Sequence, residues 1–96
     1  MRRSKLETYL DILNTLSLKG PLKLTHIMYK SNLNCNVLKD QLDFLIKNNL
    51  VEERILAKER VVYALTQRGI GVLKAFREIR QIFPIEEEKR QTPLLF

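Results

Sequence analysis

The chain has little of what most catalytic or ligand-binding chemistry requires. It holds one cysteine, Cys35, and one histidine, His26. A single thiol cannot close an internal disulfide, and one thiol with one imidazole cannot build a metal cluster of Cys and His ligands. There is no tryptophan, and the three glycines form no GxxxxGK or GxGxxG run, the turns whose backbone amides cradle phosphate. Enzyme motifs are missing throughout, so the expectation is no catalytic residue, no metal, no cofactor and no small-molecule substrate. No apolar run approaches the roughly 18 residues of a membrane span. The N-terminus, Met1-Arg2-Arg3-Ser4-Lys5, opens straight into an amphipathic segment without the apolar core of a signal peptide. These absences predict a soluble, cytoplasmic protein with no membrane partner.

What the chain does have is positive charge and regular patterning. Its 96 residues carry 17 Lys and Arg against 11 Asp and Glu, for a net charge of +6. The excess favours a polyanion, nucleic acid first, as partner. A length of 96 residues leaves room for one core, and a hydrophobic content of 45% is that of a folded domain.

The pattern reads as a series of short elements. From Lys5 to Leu18, Leu6, Leu10 and Leu13 fall within about 60° on a helical wheel, with Tyr9 and Leu16 beside them. Ser4 and Glu7 stand at the spacing of a capping box, and Gly20-Pro21 ends the helix. A second helix, from about Leu24 to Lys30, buries Leu24, Ile27 and Met28. Asn32 suits the left-handed conformation of a tight turn, Leu33 plugs the corner, and Asn34 caps a third helix that runs to about Asn48. There Leu38, Leu42 and Leu45 form an inward stripe, while Asn36, Lys39, Asp40, Asp43 and Lys47 lie on the far face. Val51–Ile55 and Arg60–Leu65 are rich in β-branched residues and read as a hairpin around Leu56-Ala57-Lys58-Glu59. Thr66 caps a last helix that must stop before Pro84.

Two helices at a tight turn, then a two-stranded hairpin, are the plan of a winged helix-turn-helix, an α+β fold that is mainly α. Residues 1–66 would form the DNA-binding part and residues 67–83 a C-terminal helix of the same domain. Residues 84–96 would be a charged tail whose apolar end, Leu94, Leu95 and Phe96, packs into an apolar groove. The last helix also carries Val72, Phe76, Ile79 and Phe83 at coiled-coil spacing, whereas Ile70 and Leu73 point back towards the first helix. That spacing predicts a homodimer joined through a coiled-coil-like seam; the alternative is a wholly internal core.

In a winged helix, the third helix enters the major groove and the wing touches phosphate or the minor groove. Asn36 and Lys39 are therefore the candidates for base edges or phosphates, and Lys47 for backbone. Asn34 could reach phosphate or serve as a cap. Lys58 and Arg60 are the wing contacts, Arg2, Arg3 and Lys5 a basic arm, and Lys30 and Arg68 secondary candidates. For each cation the competing reading is a solvated surface charge. Asp40 and Asp43 would repel phosphate or accept from cytosine N4, unless Asp43 pairs with Lys39 or Lys47. Phe44 reads as an aromatic at the core edge, and Tyr9, Tyr29 and Tyr63 as core residues with wet hydroxyls. Cys35 reads as a small buried residue and His26 as a surface one.

Ser4-Lys5-Leu6-Glu7, Ile27-Met28-Tyr29, Asn32-Leu33-Asn34 and Leu65-Thr66-Gln67-Arg68-Gly69 together resemble the archaeal winged-helix chromatin proteins of the ten-kilodalton class. That resemblance implies a dimer joined through antiparallel last helices, low sequence preference, and a role in bridging or compacting double-stranded DNA. Relative to that family, Pro84 cuts the last helix short. A sequence-specific transcriptional regulator of the same fold is the second reading, favoured by Asn36, Asp40 and Asp43. A protein-interaction module using the wing or the Leu94-Leu95-Phe96 end is the third.

Overall fold

The structure, a computed structural model, describes residues 4–83. The basic arm residues Arg2 and Arg3, and the tail with Leu94, Leu95 and Phe96, lie outside the described residues. The elements run α1 (Lys5–Lys19), α2 (Leu24–Ser31), α3 (Cys35–Lys47), β1 (Val51–Leu56), a 3-10 turn (Ala57–Glu59), β2 (Arg60–Leu65) and α4 (Gln67–Ile82).

Local chemistry accounts for nearly every boundary. At the start of α1 the capping box is complete: the Glu7 amide donates to Ser4 Oγ at 3.1 Å, and the Ser4 amide to Glu7 Oε1 at 2.9 Å. Two amides that the helix cannot itself satisfy are thereby paired. Gly20 ends α1 at φ 82°, a backbone angle that a side chain would resist. Asn32 closes α2 in the left-handed conformation (φ 59°, ψ 38°), its amide reaching the Met28 carbonyl. Two residues later Asn34 Oδ1 accepts from the Val37 amide at 2.9 Å and opens α3. At the far end of α3 the Leu50 amide reaches back to Leu45 O at 2.9 Å, and Asn49, at φ 62°, donates to Ile46 O at 3.0 Å. This pair of bonds is a Schellman motif with Asn in the place usually held by glycine.

The hairpin pairs antiparallel from Val51 with Leu65 out to Leu56 with Arg60. Lys58 and Glu59 turn the tip with φ of 63° and 58°. A bridge from Leu22 to Tyr63, with bonds of 3.0 and 2.8 Å, covers part of the β2 edge. Exposed strand edges invite pairing with other chains, and this bridge blunts one.

The core gathers Leu10, Ile12, Leu13 and Leu16 of α1, Ile27 of α2, Leu38, Leu42 and Leu45 of α3, Val51 of β1 and Leu73 of α4. Burying each such side chain contributes about 1.5–3 kcal/mol. Leu24 and Met28, expected inside, are half-buried and pack against this cluster. Leu6 departs further from its predicted inward stripe and is half exposed, because it lies at the open end of α1. α4 lies antiparallel to α1, since Ile70 shares a groove with Ser17 and Gly20 while Arg77 donates to Asn14 Oδ1 at 3.1 Å.

A clasp joins wing and helices. Thr66 Oγ1 donates to Asn49 O at 2.6 Å while accepting from the Gly69 amide at 3.0 Å. The Thr66 amide bonds Leu50 O at 3.2 Å, and Arg68 Nε donates to Asn48 O at 3.1 Å. Gly69 is required by this approach: a Cβ there would sit 2.2 Å from Leu50 O. The Leu65-Thr66-Gln67-Arg68-Gly69 run thus locks α4 onto the end of the α3–β1 turn.

Candidate nucleic-acid interface

The outward face of α3 follows from its buried one. Leu38, Gln41, Leu42 and Leu45 point inward, so the 100° step per residue places Asn36, Asp40, Asp43 and Lys47 at the opposite side, with Lys39 on its flank. All five are exposed. Asp43 pairs with Lys47 at 3.1 Å, one of its two expected partners. Both side chains of that pair are well solvated, so it contributes little stability. Two lysines and two aspartates leave this helix without net charge.

Asn34, a candidate for phosphate contact, has its side-chain oxygen committed to the α3 cap. Cys35 beside it is half-buried rather than enclosed. Phe44 stacks on Tyr9 of α1, with ring centroids 4.6 Å apart and planes 9° from parallel. That stack holds the start of α1, where Lys5 is exposed, against the flank of α3.

The wing carries Lys58 and Arg60 at its exposed tip, as the pattern predicted, but Glu59 stands between them. Lower down, Arg54 Nε is 2.7 Å from Glu52 Oε2. The Tyr63 hydroxyl donates to Glu53 Oε2 at 3.5 Å, and its pKa is raised first by burial and then by the Glu53 charge. Three cations and three carboxylates make the wing neutral too. Ile55, 75% exposed, faces outward beside its partner Val61. Arg68 is drawn to the α3 end by its bond to Asn48 O, while Lys30 is exposed.

One expectation is overturned at Tyr29. It is 85% exposed rather than part of the core, because Ile27 and Ser31 take the inward positions of α2. The residues expected in the dimer seam differ in exposure. Val72 and Phe76 are partly buried and pack against the chain's own core. Ile79 and Phe83 stay open, at 46% and 57% exposure, and Ile82, which heptad spacing passed over, is open as well. The cause is packing against α1, which takes up the α4 face bearing Leu73 and Phe76 and leaves the neighbouring face uncovered. Among the described residues no group of three or more His, Cys, Asp or Glu side chains could hold a metal ion, and no helix is long and apolar enough to cross a membrane.

Solved structures with this architecture include RV1404 from Mycobacterium tuberculosis, with a TM-score of 0.75 at 22% identity over 90% of this chain and 60% of that one. A MarR family transcriptional regulator from Silicibacter pomeroyi aligns with a TM-score of 0.74 at 20% identity, covering 90% of this chain and 58% of the other. MepR, a transcription regulator of the Staphylococcus aureus multidrug efflux pump MepA, gives 0.74 at 18% identity over 88% and 64% of the two chains. The likeness at these identities is one of fold, and this chain spans about three fifths of the length of those proteins. No curated protein matches the chain significantly. A family model described as winged helix-turn-helix matches residues 2–83, the span that holds the turn, the wing and the Thr66–Gly69 clasp. The chain belongs to the winged helix-turn-helix family.

Proposed function

We propose that this protein is a dimeric transcriptional regulator that reads duplex DNA by placing α3 in the major groove and the wing against the flanking backbone. The observation that carries this reading is the composition of the outward face of α3. Asn36, Lys39, Asp40 and Asp43 are exposed together and carry donors and acceptors of both signs. A surface built only to attract phosphate gains nothing from two carboxylates. A surface that discriminates bases does, since Asn can pair with adenine, Lys with guanine and Asp with cytosine N4. The transcription regulators among the structural neighbours support the same reading.

Dimerisation is part of the proposal. Ile79, Ile82 and Phe83 form an exposed apolar ridge at the end of α4. A second copy meeting the same ridge in isologous fashion would bury it and present two α3 helices to two half-sites. The low-specificity architectural reading, in which such a dimer bridges or compacts DNA as the ten-kilodalton archaeal class implies, is favoured by one observation. The positive excess lies away from α3 and the wing, with Lys74, Arg77 and Arg80 on α4 outnumbering Glu78.

Titration of unrelated duplexes and of a promoter fragment from the protein's own locus, at several salt concentrations, separates these readings. A regulator prefers its own fragment by about a thousandfold or more. An architectural protein binds all duplexes alike and loses affinity steeply with salt. Absence of binding to every duplex at low salt excludes both and leaves the protein-interaction module.

A further inference from the structure

Between the end of α1, the wing strands and the start of α4 lies an open groove of about 310 Å³. Leu16, Pro21, Ala64 and Ile70 are among the residues that line it, and Arg54 and Ser17 add one cation and one hydroxyl. Ile70 remains 43% exposed there. An apolar group that fits displaces water from such a surface with a gain in free energy. The volume is that of the smaller clefts that hold organic groups, about 300 Å³. The chain itself has a segment of matching chemistry. Beyond Phe83 its sequence places Glu86-Glu87-Glu88 first and Leu94-Leu95-Phe96 after them.

α4 supplies a path from Phe83 to the groove. Ile70, Lys74, Arg77 and Gln81 stand at i, i+4, i+7 and i+11, a single stripe of the helix that begins in the groove. Lys74 and Arg77 are exposed along it. Arg77 donates one of its N–H groups to Asn14 Oδ1 and keeps others for a carboxylate. Lengths agree with charge. At about 1.5 Å per helical residue, Arg77 and Lys74 lie about 9 and 14 Å back from Phe83. A chain that turns there and extends at about 3.4 Å per residue brings Glu86 and Glu87 about 10 and 14 Å back. Ile70 is about 20 Å back, well inside the reach of about 37 Å available to Leu94. Ile79 and Ile82, on the ridge offered to a second copy, lie about 100° or more round the helix from this stripe.

We infer that the groove receives the apolar part of this chain's own tail, Leu94-Leu95-Phe96, while Glu86 and Glu87 pair with Arg77 and Lys74 along the way. The contact is intramolecular. It covers Ile70 and Pro21, ties the tail across α1, the wing and α4, and leaves the ridge of Ile79 and Ile82 open to a second copy. It stands independently of the duplex-binding reading above.

The test combines nuclear magnetic resonance of the full chain, with labelled methyl groups, and thermal melting. Nuclear Overhauser contacts are expected between the Phe96 ring and the methyl groups of Ile70 and Ala64. A mixture of labelled and unlabelled chains shows whether they arise within one molecule. Phe96→Ala should lower the melting temperature by about 4–8 °C, the scale for half-burying one large apolar side chain. The same change should cost much less in an Ile70→Ala background, since the two residues share the contact. Ile70 lies outside the buried core cluster, so that background keeps its fold. Glu86→Gln with Glu87→Gln should weaken the Overhauser contacts at low salt, and the difference should fade at high salt as the attraction is screened. Absence of those contacts, with a melting temperature unmoved by Phe96→Ala, overturns the inference. Equal losses from Phe96→Ala with and without Ile70 overturn it too, because the ring then packs elsewhere. Contacts found only between labelled and unlabelled chains overturn the intramolecular assignment and make the groove a site for a second copy's tail.

Discussion

Replacing Gly69 by alanine should unfold the clasp between wing and helices, and its effect can be worked from the structure. The added Cβ would lie 2.2 Å from Leu50 O and 3.0 Å from Leu65 Cδ2, where ordinary contact begins near 3.4 Å. The nearer obstacle is backbone, held by the Leu50 to Leu45 bond and by Thr66, so it cannot swing aside as a side chain would. Overpacking of this kind costs about 1–3 kcal/mol. Moving Leu50 O also loosens its 3.2 Å bond from the Thr66 amide, worth about 1 kcal/mol. Against these stands the helix preference of alanine over glycine, close to 1 kcal/mol. The net is a destabilisation of about 2 kcal/mol, which in a domain of this size lowers the melting temperature by roughly 10 °C. Gly71, two residues on in the same helix, supplies the control, because a Cβ there meets nothing within 4 Å. Gly71→Ala should raise stability by about 0.4–1 kcal/mol. Thermal and urea denaturation of both variants measure the difference. If Gly69→Ala melts at or above the wild-type temperature, the close approach is not what glycine serves at this position.

Other predictions follow from the caps, the wing, the apolar ridge and Tyr63. Asn34→Ala removes the acceptor for the Val37 amide and should cost about 1 kcal/mol in urea denaturation. A DNA-binding defect larger than that loss of folded protein explains would show a second role for this side chain. Lys58→Ala with Arg60→Ala should weaken binding to all duplexes and lower the salt slope by about 0.9 for each phosphate left unneutralised; unchanged affinity excludes the wing. Ile82→Asp should convert a dimer to a folded monomer in light scattering, whereas a wild type already monomeric ends the seam proposal. Burial and Glu53 raise the pKa of Tyr63 above 10.0, so the folded state holds this proton more tightly than the unfolded one. Its contribution is therefore full below about pH 10 and lost as pH rises through the folded value. Stability measured from pH 8 to 11 should fall less in Tyr63→Phe than in the wild type, and parallel profiles would refute the assignment.

Much of the fold was legible because its signals are local. Ser4 with Glu7, Asn32, Asn34 and Thr66 each end or open a helix through backbone a few residues away, so that capping chemistry can be read without knowing what packs beside it. The spacing of Leu38, Leu42 and Leu45 likewise established the inward side of α3, and with it the outward set of Asn36, Lys39, Asp40, Asp43 and Lys47. The wing cations Lys58 and Arg60 were placed by the β-branched runs on either side of Leu56-Ala57-Lys58-Glu59. The reach of Arg68 to Asn48 O, which spans 20 positions in sequence, had no such local signal.

By itself, then, the sequence determined the order of elements, their caps and the inward stripe of the recognition helix, because periodicity and capping are properties of neighbouring residues. Tertiary structure alone decided which apolar faces are covered. A helical wheel shows that α4 has a broad apolar surface, but only the position of α1 partly buries Phe76 and leaves Ile79, Ile82 and Phe83 open. The same holds for Tyr29. Its residue type suits a core, yet α2 has room for one buried side, and Ile27 and Ser31 occupy it. Burial depends on what lies opposite a side chain, and that is set by contacts between residues far apart in the chain.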